Sequence, residues 1–410
     1  MLMLLAGVGS IVAQPSASFS EGNYLTLGNP FTALATSDSQ YVFVSVTNVG
    51  GPNYFTPDSE AGNRHGVVSG VQIFRNETGV LHSAGFLRLG GKGANGMAFI
   101  KGEKTLMVAV GDLGVALVNV HDAIEGNATP LYVSQGAGAG TFDVVATPDG
   151  KHIFSANDYG YFRRQRVNVG IIALQSDAFG RVTAARSLGY IPSGNKVPSL
   201  TLSPDGSRLY ILREILPGIG LGHVAGRHNP TLSKENCVQI IGSPPEPNGV
   251  ITVVSVKQAI ASGSGQKAIL REVAAGCSPV RAVESHDSST LYVSARGDNR
   301  ILVYSTHQLE VDPNHALLRA FDSGGVAPVG IGLIRREQCL LVANSNRFHN
   351  DRGGIAVIDL ADPAKPRVLE RIPSGEFPRN INLASAGRAF FVTNYTSRTL
   401  EIFMASDETP

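Results

Sequence analysis

Thr147-Pro-Asp-Gly-Lys-His-Ile-Phe-Ser-Ala-Asn157 and Ser203-Pro-Asp-Gly-Ser-Arg-Leu-Tyr-Ile-Leu-Arg213 share one plan, a four-residue turn running straight into a strand. Proline presets the first turn dihedral, aspartate bonds to nearby backbone, and glycine takes the positive φ that closes the turn. The β-branched and aromatic residues that follow favour a pleated, half-buried strand. Two further copies stand at Ser285-His-Asp-Ser-Ser-Thr-Leu-Tyr-Val-Ser-Ala295 and Ala384-Ser-Ala-Gly-Arg-Ala-Phe-Phe-Val-Thr-Asn394. Weaker ones begin at Thr36, Ile100 and Ile334, which makes seven units of about 40 to 80 residues. That period, with strand signals throughout and no long amphipathic helix, predicts an all-β fold: a seven-bladed β-propeller of four-stranded antiparallel blades.

Blade limits follow from the recurrence at roughly 29–90, 91–136, 137–194, 195–276, 277–324, 325–375 and 376–406. The last unit is one strand short, and the spare segment Asn23-Tyr-Leu-Thr-Leu-Gly28 is predicted to supply it. An N-terminal strand that completes the last blade closes the ring and removes exposed edges. Residues 14–410 then form a single domain.

Composition agrees. Glycine is about 11% of 410 residues and charged residues are 16%, which suits many short strands and turns rather than helices or disorder. A formal net charge of +1 gives no global field for nucleic acid or an acidic membrane surface, so binding must come from a local site. Met1 to Ala13 is apolar and breaks at Gln14-Pro15. It is too short to span a bilayer and suits a secretory segment, although no basic residue precedes it; a buried strand is the other reading. The first reading predicts a secreted or periplasmic chain with no membrane span.

Three cysteines cannot all pair within one chain. Cys237 and Cys277 could bridge in an oxidising compartment, while Cys339, inside an apolar run, reads as a buried thiol. There is no G-x-S-x-G elbow, P-loop, dinucleotide fingerprint, H-E-x-x-H, EF-hand or C-x-x-C-H, so no metal or cofactor is expected.

Leu291-Tyr-Val-Ser-Ala-Arg-Gly-Asp-Asn-Arg-Ile-Leu-Val-Tyr304 and Phe391-Val-Thr-Asn-Tyr-Thr-Ser-Arg-Thr-Leu-Glu-Ile-Phe403 resemble the YVTN propeller repeat. The chain is similar to the seven-bladed lactonase-like superfamily, which includes 6-phosphogluconolactonase-like and carboxymuconate lactonising enzyme-like proteins. A monomeric propeller is expected. The resemblance implies either a lactone hydrolase, lyase or isomerase acting on a lactone or small carboxylate, or a non-catalytic module that binds a protein, glycan or envelope component.

The chain concentrates its extra length in a few loops. If the Ser-Pro-Asp-Gly turns occupy one face, the loops between second and third strands gather on the other, where binding residues concentrate. These loops are long in blades one (Asn48–Gly66), three (Asp158–Asn168), four (Glu214–Asn248) and six (Ser345–Gly353). They carry the candidate general acid/base residues His65, His223, His228 and His349. They also carry Arg64, Arg164 and Arg347, suited to bidentate carboxylate binding. At the ends of second strands, Asn157, Arg213 and Asn344 are rim candidates. Arg281 and Arg379, shortly after Pro279 and Pro378, are candidates for the axis.

Overall fold

A computed structural model describes residues 19–49, 68–91, 93–134, 140–157, 169–193, 197–214, 248–263, 265–334, 336–346, 352–362, 364–384 and 389–405. These form seven four-stranded antiparallel sheets, a seven-bladed β-propeller. The first strands of the blades are Asn29–Ala35, Met97–Phe99, Thr141–Ala146, Ser199–Leu202, Pro279–Glu284, Pro328–Ile334 and Pro378–Leu383. Each touches the next, and the seventh touches the first, so they line the axis as a ring. In the seventh blade the outermost strand is Phe19–Leu25, paired antiparallel with Thr399–Ala405. It lies a few residues earlier than the segment read from sequence because the chain must turn before Asn29. The Thr26 hydroxyl donates to the Gly28 carbonyl, and a Cβ on Gly28 would lie 2.2 Å from the Thr47 carbonyl oxygen.

The core lies between blades. Phe154 and Ile171 of blade three pack with Leu200, Leu209 and Ile211 of blade four, all buried, and equivalent clusters run round the ring. Each such side chain contributes about 1.5–3 kcal/mol of burial. Among the described residues the α-helices are short segments after third strands, such as Val256–Ser262, capped by the Ser255 side chain.

The repeated turn works through its hydroxyl as much as its glycine. Thr36, Thr147, Ser203 and Ser285 each donate to the aspartate two residues on, at 2.5–2.6 Å. That aspartate then accepts the backbone N–H of Gln40, Lys151, Ser207 or Ser289. Gly206 takes a φ of 70°, and where serine replaces glycine at Ser39 and Ser288 the φ stays positive, so the bonding network overrides the residue's own preference. Asp205→Ala is expected to cost about 1 kcal/mol, the worth of the bonds lost, read from urea unfolding midpoints.

The crossings into blades five, six and seven are built alike. Ser278, Ala327 and Phe377, each followed by proline, hold φ at 53–55°. Their carbonyls accept N–H bonds from Arg296, Ser345 and Tyr395. A β-bulge follows. In blade seven Pro378 faces Asn394 and Asn380 faces Thr393, so Arg379 is the extra residue. In blade five Pro279 faces Ala295 and Arg281 faces Ser294, so Val280 is extra. In blade three the extra residue is Phe142.

Candidate functional site

The bulged residues meet at the axis, on the face opposite the repeated turns. There the guanidinium of Arg379 sits among four aromatic rings. Its carbon lies 4.1 Å from the centroid of Phe31, 5.1 Å from Tyr395, and 5.4 Å from both Phe142 and Phe377. Phe31 and Phe142 pack edge to face at 4.8 Å. The rings come from blades one, three and seven, so ring closure itself assembles the collar. Cation–π contacts of this kind contribute about 0.5–2 kcal/mol each. Phe377 holds a left-handed backbone that a bulky residue adopts only at a cost, and its ring is one wall of the collar.

Arg379 is half-buried, its Nε is enclosed, and among the described residues no carboxylate or hydrogen-bond acceptor meets its guanidinium. The rings hold the cation in place without neutralising it, which leaves it available to an anion.

Arg281 has a different fate. Its Nη1 donates to the carbonyl oxygens of Pro198 at 2.7 Å and Val280 at 2.9 Å. Asp143 supplies the counter-charge: burial pushes its carboxyl up and the nearby Arg281 pulls it down. The backbone N–H groups of Val144 and Leu200 also bond this carboxylate. Through Leu200 and Pro198 the two side chains link the adjacent blades three, four and five.

The rim candidates are engaged inside the blades. Asn157 is buried and accepts the Thr141 hydroxyl at 2.9 Å. Arg213 is 1% exposed and spends its charge on Glu272 of the blade's outer strand. Asn344 lies in the wall of a pocket beside blade six and gives its amide to the Ser323 carbonyl at 3.0 Å. His65, His223, His228, His349, Arg64, Arg164 and Arg347 lie outside the described residues, as does Cys237; Cys339 is a buried free thiol.

Sequence reading missed the collar, although an aromatic beside a proline at Phe31 and Phe377 was a usable signal; Phe142 carries no such mark. It also missed Arg352 and Arg371 in the blade-six pocket, which the Gly324-Gly325 and Gly353-Gly354 pairs flank. Among the described residues no group of three metal-ligating side chains converges, and no helix is long and apolar enough to cross a membrane.

No family model and no curated protein sequence matches the chain. Solved structures do. Kuenenia stuttgartiensis hydrazine synthase is similar at 14% identity and a TM-score of 0.58, over 97% of this chain and 99% of that one. The Cps50 (Swd1) β-propeller domain of Myceliophteria thermophila gives 9% and 0.60, over 94% and 100%. A chain of the mitotic checkpoint complex gives 11% and 0.61, over 99% and 98%. At such identities the likeness is one of architecture: this chain folds as a β-propeller.

Proposed function

We propose that this chain is a binding propeller that receives a carboxylate-bearing small molecule at the axial mouth, with Arg379 as the fixed cation. The observation that carries the reading is an arginine held by four rings and met by no described anion. A guanidinium already ordered by its surroundings loses little freedom on binding, and its fork matches a carboxylate. The collar offers flat apolar surface to the ligand's body.

Calorimetric titration with a panel of small aliphatic and aromatic carboxylates and their lactones tests this. At least one carboxylate is expected to bind wild type, and Arg379→Met to weaken it about tenfold or more, as expected for loss of one charge-assisted contact. Binding that survives the substitution, or none across the panel, overturns the reading. Hydrolysis of a panel lactone would instead restore the lactonase reading that the superfamily resemblance implies. Export and a Cys237–Cys277 bridge belong to the same proposal, and peptide mass mapping without reduction tests the bridge.

A further inference from the structure

On the turn face, blades one, two and three enclose an open cleft of about 700 Å³. One wall is the repeated turn of blade one with Tyr41, a second is the turn of blade two with its short helix Val120–Ile124, and the third is the hairpin tip of blade three that carries Phe179 and Arg181. Bonds between blades set its shape. The Glu103 carboxylate accepts the backbone N–H and the hydroxyl of Ser37, both at 2.9 Å, which joins the turns of blades one and two. The Val182 N–H donates to the Thr105 hydroxyl oxygen at 3.2 Å, which seats the hairpin of blade three beside blade two.

Phe179 stands at the hairpin tip, 74% exposed, whereas no other aromatic ring among the described residues exceeds 39%. Its position is nevertheless fixed. The Asp177 carboxylate accepts the backbone N–H groups of Phe179 and Arg181 and the Arg181 Nε, each at 2.9 Å. The Arg181 guanidinium, so anchored, lies 5.5 Å from the centre of the Phe179 ring. The cleft thus offers a flat apolar platform that is ordered before any ligand arrives.

Around the platform the charges are mixed. Asp38, Glu103 and Asp122 line the cleft together with Lys104 and Arg181. The side chains of Asp122 and Lys104 and the Tyr41 hydroxyl meet no hydrogen-bond or ion-pair partner among the described residues. Three carboxylates disfavour a polyphosphate, two cations oppose an ammonium, and a purely apolar body would leave these polar groups without bonds. The remaining class is a neutral molecule with flat apolar faces and many hydroxyls.

We infer that this cleft binds a neutral oligosaccharide. The C–H face of one sugar ring would lie on Phe179, neighbouring hydroxyls would donate to the carboxylates of Asp122 and Glu103, and hydroxyl oxygens would accept from Lys104 and Tyr41. Bonds to charged groups are the stronger kind and fix orientation. The volume lies within the roughly 300–1,000 Å³ usual for a small-molecule ligand, and a cleft that crosses three blades suits a short chain of sugars.

Calorimetric titration of the whole chain with maltotriose, cellotriose, xylotriose and tri-N-acetylchitotriose tests the inference. At least one is expected to bind, and Phe179→Ala to weaken it about tenfold through loss of the stacked contact. Phe179→Trp, which keeps a flat ring, should retain binding. Because the ring is exposed, Phe179→Ala should keep the wild-type urea midpoint and the wild-type affinity for carboxylates at the axial mouth, so the two sites are read separately. Raising salt from about 0.05 to about 0.5 M should leave sugar affinity within about twofold, since the ligand carries no charge. No binding of any of these sugars, binding unaffected by Phe179→Ala, or tighter binding of a sulfated trisaccharide than of its neutral parent overturns the inference.

Discussion

Arg213→Ala should lower the free energy of unfolding by about 3–5 kcal/mol, the usual cost of breaking a buried ion pair by removing one partner. The side chain runs inside blade four, from the end of the second strand to Glu272 on the fourth, with the Thr252 hydroxyl also near that carboxylate. Burial draws the Arg213 pKa down and Glu272 opposes that shift, so the charge and its partner are buried together. Truncation would strand the Glu272 carboxylate against apolar strands and leave a cavity. The pair itself need not be worth that much. Replacing both residues together, Arg213→Met with Glu272→Met, is expected to cost far less than the single change, because no charge is left unpaired. Guanidinium unfolding of the two single variants and the double variant separates these effects. A loss below about 1 kcal/mol for Arg213→Ala would mean that water reaches the site and solvates Glu272.

The fold was legible from local chemistry, and the site was not. A Ser-x-Asp turn is decided within five residues, so Ser203, Asp205 and Ser207 could be read without knowing what lies across the ring. The collar joins residues as far apart as Phe31 and Tyr395, which meet only because the ring closes. The bulge then adds an offset invisible in the string. Ser278-Pro-Val-Arg281 and Phe377-Pro-Arg-Asn380 look alike, and sequence reading placed both arginines on one rim. One residue of register exchanges the direction of every following side chain. Both reach the ring of Phe31, but Arg379 occupies the bulge and sits among four rings at 4.1–5.4 Å, whereas Arg281, one place beyond it, lies 6.0 Å from Phe31 and donates to Pro198. The polar ends of second strands misled for a related reason. A polar residue there can face its own blade, as Asn157 and Arg213 do, and alternation alone does not say which neighbour it will find.

On the opposite face, stability should fall as pH rises from about 5 to about 8, and Glu284→Gln should remove much of that fall. Glu284 ends the first strand of blade five, is 8% exposed, and has one carboxyl oxygen without a partner among the described residues. Burial raises its pKa from 4.5 to about 7; Ser288 and Tyr210 beside it oppose the shift, and Asp205 and Asp287 add to it. A carboxyl whose pKa is higher in the folded chain binds more protons there than when unfolded. Stability is therefore lost as pH rises from the unfolded value through the folded one, and is constant above it. At 1.36 kcal/mol per pKa unit the loss is at most about 3 kcal/mol. Asp298, pushed up to about 6 by its own burial, acts in the same direction over a lower window. Urea unfolding at about pH 5 and pH 8 measures the slope. Wild type and Glu284→Gln should lie closest at the lower pH, and the variant should be the more stable at the higher one. Because Glu284 lies on the turn face, carboxylate binding at the opposite face should not follow its titration. Parallel slopes for the two proteins would show that Glu284 ionises in the folded chain as it does in water.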